Sequence, residues 1–296
     1  MHDRTQLRVT TGRVKAGPVS VRRTADGWVD QPYTRFTITP LAMTIGAEIG
    51  GVDLMDEWDD ELVAELKRAL LEWKVIFFRD QHLTSERHRD LAALWGSLEV
   101  HPFLPHGEVP EVVRFEKDGK VGGYENTWHA DVTWKADPPL GSVLRSIEVP
   151  AVGGDTMWCD MGAAYDGLDD SLKERIDGLT AVHDFTKTFG LVMDAEKLAE
   201  MQAQFPAVTH PVVLEHPETG RRTLYVNRPF TDFIVGEDDD ALLLELLDQA
   251  SVPEYQCRFK WTPGAVAIWD NRATQHYALS DYYPQRRVME RCTILG

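Results

Sequence analysis

The sequence predicts a mixed α+β protein with a β-rich core and helices packed outside it, for which a jelly-roll or cupin-like barrel is one solution. Three observations carry this. Two amphipathic helical segments and an apolar strand occupy residues 36 to 96. After Gly96 the chain breaks into short strand-like segments separated by Pro and Gly. There is no regular strand–helix alternation, no Gly-x-Gly-x-x-Gly loop and no Walker-type Gly/Lys/Ser sequence, so nucleotide-binding α/β folds lose support. With 296 residues, 43% of them hydrophobic and nine of them Trp, the chain is long enough for one large domain or two small ones with a substantial core.

Residues 1 to about 33 carry six Lys+Arg against three Asp and show no sustained periodicity, so they read as a flexible or loosely packed extension outside the folded core; residues 34–296 are expected to form a single domain. Phe36-Thr-Ile-Thr alternates like a strand, and Gly46, Gly50 and Gly51 suggest tight turns. From Asp59 to Trp73, Leu62, Val63, Leu66, Ala69, Leu70 and Trp73 form one helical face behind an acidic first turn. Val75-Ile-Phe-Phe78 is a buried strand. A second helix starts near Thr84 or Ser85, passes Leu91, Leu94 and Trp95, and stops at Gly96 as a left-handed cap. Further helical segments are expected near 194–204 and 238–250.

The balance of 31 Lys+Arg against 48 Asp+Glu, a net charge of -17, repels phosphate backbones and anionic membranes, so neither nucleic acid nor a membrane is an expected partner. Cys159, Cys257 and Cys292 are far apart in the sequence and fit neither a disulfide framework nor a zinc ribbon. The N-terminus lacks the apolar core of a secretory signal. A cytoplasmic protein is expected.

The most informative segment is Asn126-Thr-Trp-His129-Ala-Asp131-Val-Thr-Trp134, whose β-branched and aromatic residues favour extended backbone. In a strand, residues i and i+2 share a face, so His129 and Asp131 can present an imidazole and a carboxylate to one ion. Alone, the pair reads as a structural hydrogen bond rather than a metal site. A second segment, from Gly264 through Trp269 to His276, runs an apolar strand into a polar turn and a histidine. Two histidines and one carboxylate, the third ligand from a distant strand, make a facial triad suited to non-haem Fe(II). The same ligands also hold zinc, so ligand type leaves iron and a zinc hydrolase both open.

Trp128-His129-Ala-Asp131-Val-Thr133, Gly153-Gly-Asp-Thr156, and Trp269-Asp-Asn-Arg272, His276, Asp281-Tyr282, Arg287 and Arg291 follow one another in that order. In this the chain resembles the taurine dioxygenase (TauD/TfdA) family, from about Phe36 to Gly296. The resemblance implies a double-stranded β-helix core and an Fe(II)-dependent dioxygenase that decarboxylates 2-oxoglutarate to succinate with O2 while oxidising a substrate. It implies that Arg287 clamps the distal carboxylate of 2-oxoglutarate and that Thr156 adds a hydroxyl donor. A planar guanidinium suits that task, since it meets a carboxylate bidentately. Without the resemblance, Arg287 reads as a surface salt bridge and Thr156 as a turn residue.

The resemblance further implies that Arg291 and His101 hold an anionic group of the substrate and that Val132, Phe185 and Phe230 line its pocket. Taurine enzymes have a tyrosine and an asparagine where this chain has Leu104 and Glu125; a shift of one residue puts Asn126 at the second position. Taurine itself is therefore not the expected substrate. A small anionic organic molecule is: a sulfonate, sulfate ester or carboxylate. His106, His183, His210 and His216 read as structural. A metal-dependent β-barrel binding protein or a zinc hydrolase on the same triad is the alternative, and a homo-oligomer is compatible with the sequence.

Overall fold

The computed structural model of the protein describes residues 20–102, 107–120 and 125–296. Strand β1 (Thr37–Pro40) turns back antiparallel onto β2 (Ala47–Gly50), with positive φ at Gly46 and Gly51. Helix α1 (Asp60–Trp73) is capped by Asp59, whose carboxylate accepts from the Leu62 N–H, and Asp60 and Glu61 set negative charge at the positive end of its dipole. Its buried stripe is Leu62, Leu66, Ala69, Leu70 and Trp73. Left-handed Lys74 (φ 62°) ends it and admits β3 (Val75–Phe78).

Helix α2 (Ser85–Ala92) is capped by Thr84 as expected, but it stops at Ala92, short of Leu94 and Trp95. Gly96 is needed for space rather than for a left-handed cap: its φ is not positive, and a Cβ there would lie 2.4 Å from the Leu295 carbonyl oxygen. Gly96→Ala is expected to lower stability by about 1–3 kcal/mol, the usual range for overpacking. A urea midpoint equal to that of the parent protein would show that the chain end is not packed there.

The remaining elements are β4 (Val112–Lys117), β5 (Gly141–Glu148), β6 (Thr156–Asp160), α3 (Met161–Asp166), α4 (Asp170–Ile176), β7 (Thr180–His183), α5 (Ala195–Gln204), β8 (Val208–Pro211), β9 (Val213–Glu215), β10 (Arg222–Leu224), β11 (Thr231–Ile234), α6 (Ala241–Asp248), β12 (Gln256–Phe259), β13 (Val266–Asp270), β14 (Thr274–Ala278) and β15 (Arg287–Ile294). The helices anticipated near 194–204 and 238–250 are α5 and α6.

A seven-stranded sheet in the order β1-β2-β3-β13-β5-β15-β4 faces a three-stranded sheet β12-β6-β14, the two walls of a double-stranded β-helix. Between them lie Val75 and Phe77 of β3, Trp158 of β6, Phe259 of β12 and Ala267 and Trp269 of β13. Ile76, Phe78, Val266 and Ile268 point the other way, onto α1 and α2. That double coverage explains why β3 and β13 are unbroken apolar runs rather than alternating ones. Helix α3 packs on β6 and β14 of the small sheet, and α6 joins the same apolar cluster against β11. A third sheet, β11-β7-β8, stands to one side.

The sequence placed residues 1–33 outside the core. Residues 1–19 lie outside the described residues, whereas 22–33 run along the domain. The Arg221 guanidinium donates to the Arg22 and Arg23 carbonyls at 2.7 and 3.0 Å, and Tyr33 donates its hydroxyl to Glu72 at 2.6 Å. Among the described residues no helix is long and apolar enough to cross a membrane.

Candidate metal centre and cosubstrate cavity

The segment 126–134, read from sequence as extended, holds a single bridge instead of a strand. The His129 N–H donates to the His276 carbonyl at 3.0 Å and the His276 N–H donates back at 2.8 Å, which ties the first histidine to β14. Beyond Ala130 the chain turns: the Lys135 N–H donates to the Val132 carbonyl at 3.2 Å, and Val132 takes φ 57°, a left-handed conformation costly for a β-branched residue. His129 and Asp131 therefore meet through a bridge followed by a tight turn, not through the i,i+2 rule of a strand. Tertiary pairing has overridden local β propensity.

The ligand atoms of His129, Asp131 and His276 all lie within 4.8 Å of one another. Asp131 Oδ1 is 3.8 Å from His129 Nε2 and 3.9 Å from His276 Nε2. His129 Nδ1 lies 2.8 Å from the Thr127 carbonyl, a partner that only an N–H can satisfy, so the lone pair sits on Nε2, which faces Asp131. Burial works to raise the Asp131 pKa, but Arg291 and then the two imidazoles outweigh it and hold the carboxyl well below the usual range. Burial, then His129, pushes His276 well below an ordinary histidine. A carboxylate and a neutral imidazole are the forms that bind metal.

One cavity of about 660 Å³, counting its open mouth, reaches from these ligands along β15. Arg287, Met289 and Arg291 alternate into it, while Glu290 and Cys292 face away toward Arg145 and the α2 side. Arg287 is buried; its Nε donates to the Gly154 carbonyl at 3.1 Å, and its Nη2 has no partner among the described residues. Gly154 (φ +71°) leaves room for that side chain, since a Cβ would stand 3.2 Å from the Arg287 Cδ, and its N–H is held by Asp281 at 2.8 Å. The Gly-Gly turn and the Asp-Tyr pair thus build one seat for one guanidinium. Thr156, on β6, accepts from the Trp261 indole N–H at 2.9 Å, which leaves the Thr156 O–H to donate into the cavity.

The other residues singled out by sequence fall in several places. Arg291 lines the cavity, yet its Nη1 lies 2.9 Å from both Asp131 carboxylate oxygens. Glu125 stands at the cavity wall in an ion pair with Lys117 at 2.9 Å, while Asn126 faces a separate surface depression beside Trp128 and Tyr277. His101 is buried, close enough to Asp131 to add to the field on it, with its ring 5.9 Å from that of Phe189. Val132, Phe185 and Phe230 share a buried apolar cluster with Trp134 and are not among the residues lining this cavity. Leu104 and His106 lie outside the described residues. Lys117 and Trp261 belong to none of the sequence motifs, and only their place in the fold reveals them.

The residues fit a ferrous ion and a dicarboxylate. Two imidazoles and a carboxylate converge as one donor set of the facial-triad type, and buried Arg287, its Nη2 unpartnered among the described residues, lines the cavity they adjoin.

Comparisons with known proteins agree. The family model described as taurine catabolism dioxygenase TauD, TfdA family, matches residues 37–293. An alkylsulfatase of Acinetobacter baylyi is 37% identical over 279 residues, 91% of this chain and 88% of its own. An alpha-ketoglutarate-dependent sulfate ester dioxygenase of Pseudomonas putida is 39% identical over 272 residues, 88% of this chain and 89% of its own. The crystal structure of a taurine dioxygenase from Burkholderia xenovorans superposes with a TM-score of 0.77 at 38% identity, covering 89% of this chain and 90% of that one. With a His/Asp/His group able to hold a metal, a buried arginine and the linked motifs all present, the chain belongs to the TauD/TfdA family of iron(II)- and 2-oxoglutarate-dependent dioxygenases.

Proposed function

We propose that His129, Asp131 and His276 hold Fe(II), that Arg287 and Thr156 receive the distal carboxylate of 2-oxoglutarate, and that the enzyme oxidises a small organic anion, with sulfate esters the favoured class. The observation that carries this reading is that buried Arg287, its Nη2 without a partner among the described residues, lines the same cavity as His129 and His276. Iron bound there would activate O2 with 2-oxoglutarate as the electron donor. The chain's own part is to orient and to exclude water. Arg287 and the Thr156 hydroxyl fix one end of the cosubstrate so that its other end points at the triad. Trp158, Trp269 and Met289 make the walls apolar, which strengthens each charge interaction inside.

The substrate class rests on two supports. The two relatives at 37% and 39% identity bear the names alkylsulfatase and sulfate ester dioxygenase. Arg291, at the junction of the triad and the cavity, is the cation best placed for a sulfate. Hydroxylation at the carbon bearing the sulfate would give a hemiacetal-type ester that collapses to an aldehyde and sulfate, balanced by 2-oxoglutarate and O2 going to succinate and CO2.

Incubation with Fe(II), ascorbate, 2-oxoglutarate and a panel of alkyl sulfates, alkyl sulfonates and aryloxyalkanoates tests this. Succinate and sulfate are expected in equal amounts with an alkyl sulfate. Succinate release with a sulfonate or aryloxyalkanoate and none with sulfates would reassign the class. No succinate above a His129→Ala control with any of them would count against turnover.

A further inference from the structure

The left-handed turn that carries Asp131 is strained at Val132, and the structure surrounds it with polar contacts that no ligand requires. Asn271, buried in the turn between β13 and β14, accepts from the Asp131 backbone N–H through Oδ1 at 2.7 Å and donates through Nδ2 to the Asp131 carbonyl at 2.9 Å. One amide side chain thus closes both backbone groups of the metal carboxylate residue. Two residues on, the fully buried Thr133 hydroxyl accepts from Asn227 Nδ2 at 2.9 Å and lies 2.9 Å from His183 Nδ1.

Burial, then the neighbouring His210, lowers His183 to a pKa of about 3, so the ring is neutral. Thr133 Oγ1 thus bridges Asn227 and the His183 ring, whose other nitrogen, Nε2, lies 3.4 Å from Thr231 Oγ1. His210 Nε2 holds the far end of the turn at the Lys135 carbonyl, 3.0 Å away. His183 and His210 belong to β7 and β8, so the side sheet grips the metal turn along one flank while Asn271 grips it from the other.

We propose that Asn271 and the Thr133–His183 pair are positioning residues that hold Asp131 at the metal site against the strain of left-handed Val132. The inference rests on the reading of His129, Asp131 and His276 as metal ligands. A φ of 57° at a β-branched residue persists only where surroundings over-determine it, and such strain gathers at functional sites. Partners behind metal ligands commonly alter affinity by about 10- to 100-fold. The clamp also accounts for the Thr of the Trp-His-x-Asp-x-Thr segment and the Asn of Trp-Asp-Asn-Arg, neither of which touches the metal or the cosubstrate in the proposed site.

Co(II) titration followed by its visible absorption reads this without turnover. Asn271→Ala and Thr133→Val are expected to raise the Co(II) Kd about tenfold or more, and Thr133→Ser, which restores the hydroxyl, to return it to within about twofold of the parent. Ser146→Ala removes a buried hydroxyl bonded to the Thr262 and Ala265 carbonyls, away from the site, and serves as the control that lowers the thermal midpoint without moving Kd. Should Asn271→Ala fail to fold, the Val and Ser variants of Thr133 decide alone. Parent-like Kd in a folded Thr133→Val protein overturns the inference. Absence of Co(II) binding by the parent protein would instead sink the metal-site reading itself.

Discussion

His276→Ala is expected to stop succinate formation, with a loss of about 10³-fold or more, while the protein still folds. Removing one of three donors leaves the ion two partners and a cavity where the imidazole stood, and a bound metal contributes several kcal/mol to such chemistry. His276 also bonds to His129 only through backbone groups, so the bridge that ties the first histidine to β14 survives the substitution. The assay is succinate release together with Co(II) binding; activity within about tenfold of the parent protein would show that the ion is held elsewhere.

Arg287→Gln is expected to raise the half-saturating 2-oxoglutarate concentration about 10²-fold while leaving metal binding within about twofold. The guanidinium is already desolvated, and burial lowers its pKa, the sign of a cation that lacks a full complement of partners. A buried cation in that state gains most from an incoming carboxylate, and removing one side of such a pair costs about 2–5 kcal/mol. Arg287→Lys keeps the charge without the planar fork and is expected to fall between the two. Isothermal titration of the metal-loaded protein with 2-oxoglutarate measures this. Equal affinity in all three proteins would remove Arg287 from the cosubstrate site.

How much of this was legible in the sequence depends on whether local pattern or distant partners decided the outcome. Helix α1 follows from Asp59 and the spacing of Leu62, Leu66, Leu70 and Trp73, because its cap and apolar stripe are local. The residues proposed here as metal ligands and cosubstrate clamp stand in the sequence as linked motifs. The geometry of His129 and Asp131 was not legible there. A run of Trp, Val and Thr favours a strand, whereas the bridge to His276 and the contacts of Asn271, His183 and His210 with the left-handed corner come from distant parts of the chain.

Gly96 shows the same limit. Its role depends on the Leu295 carbonyl, almost 200 positions away, and resembles a helix cap when only neighbours are considered. His183 and His210 read as structural, and their contacts with the metal turn depend on how the side sheet packs, which no spacing encodes. Arg291 likewise carried a substrate role by resemblance, whereas its bond to Asp131 is visible only in three dimensions.

In the proposed site the triad and Arg287 together receive iron and 2-oxoglutarate. Anaerobic addition of 2-oxoglutarate to the Fe(II)-loaded protein tests it most directly, read as the visible charge-transfer absorption of the ferrous–cosubstrate complex. A band is expected in the parent protein, none in His129→Ala, and in Arg287→Gln a band that appears only at about 10²-fold higher 2-oxoglutarate. Tight zinc binding with no band in the parent, or a band unmoved by either substitution, would contradict the proposal.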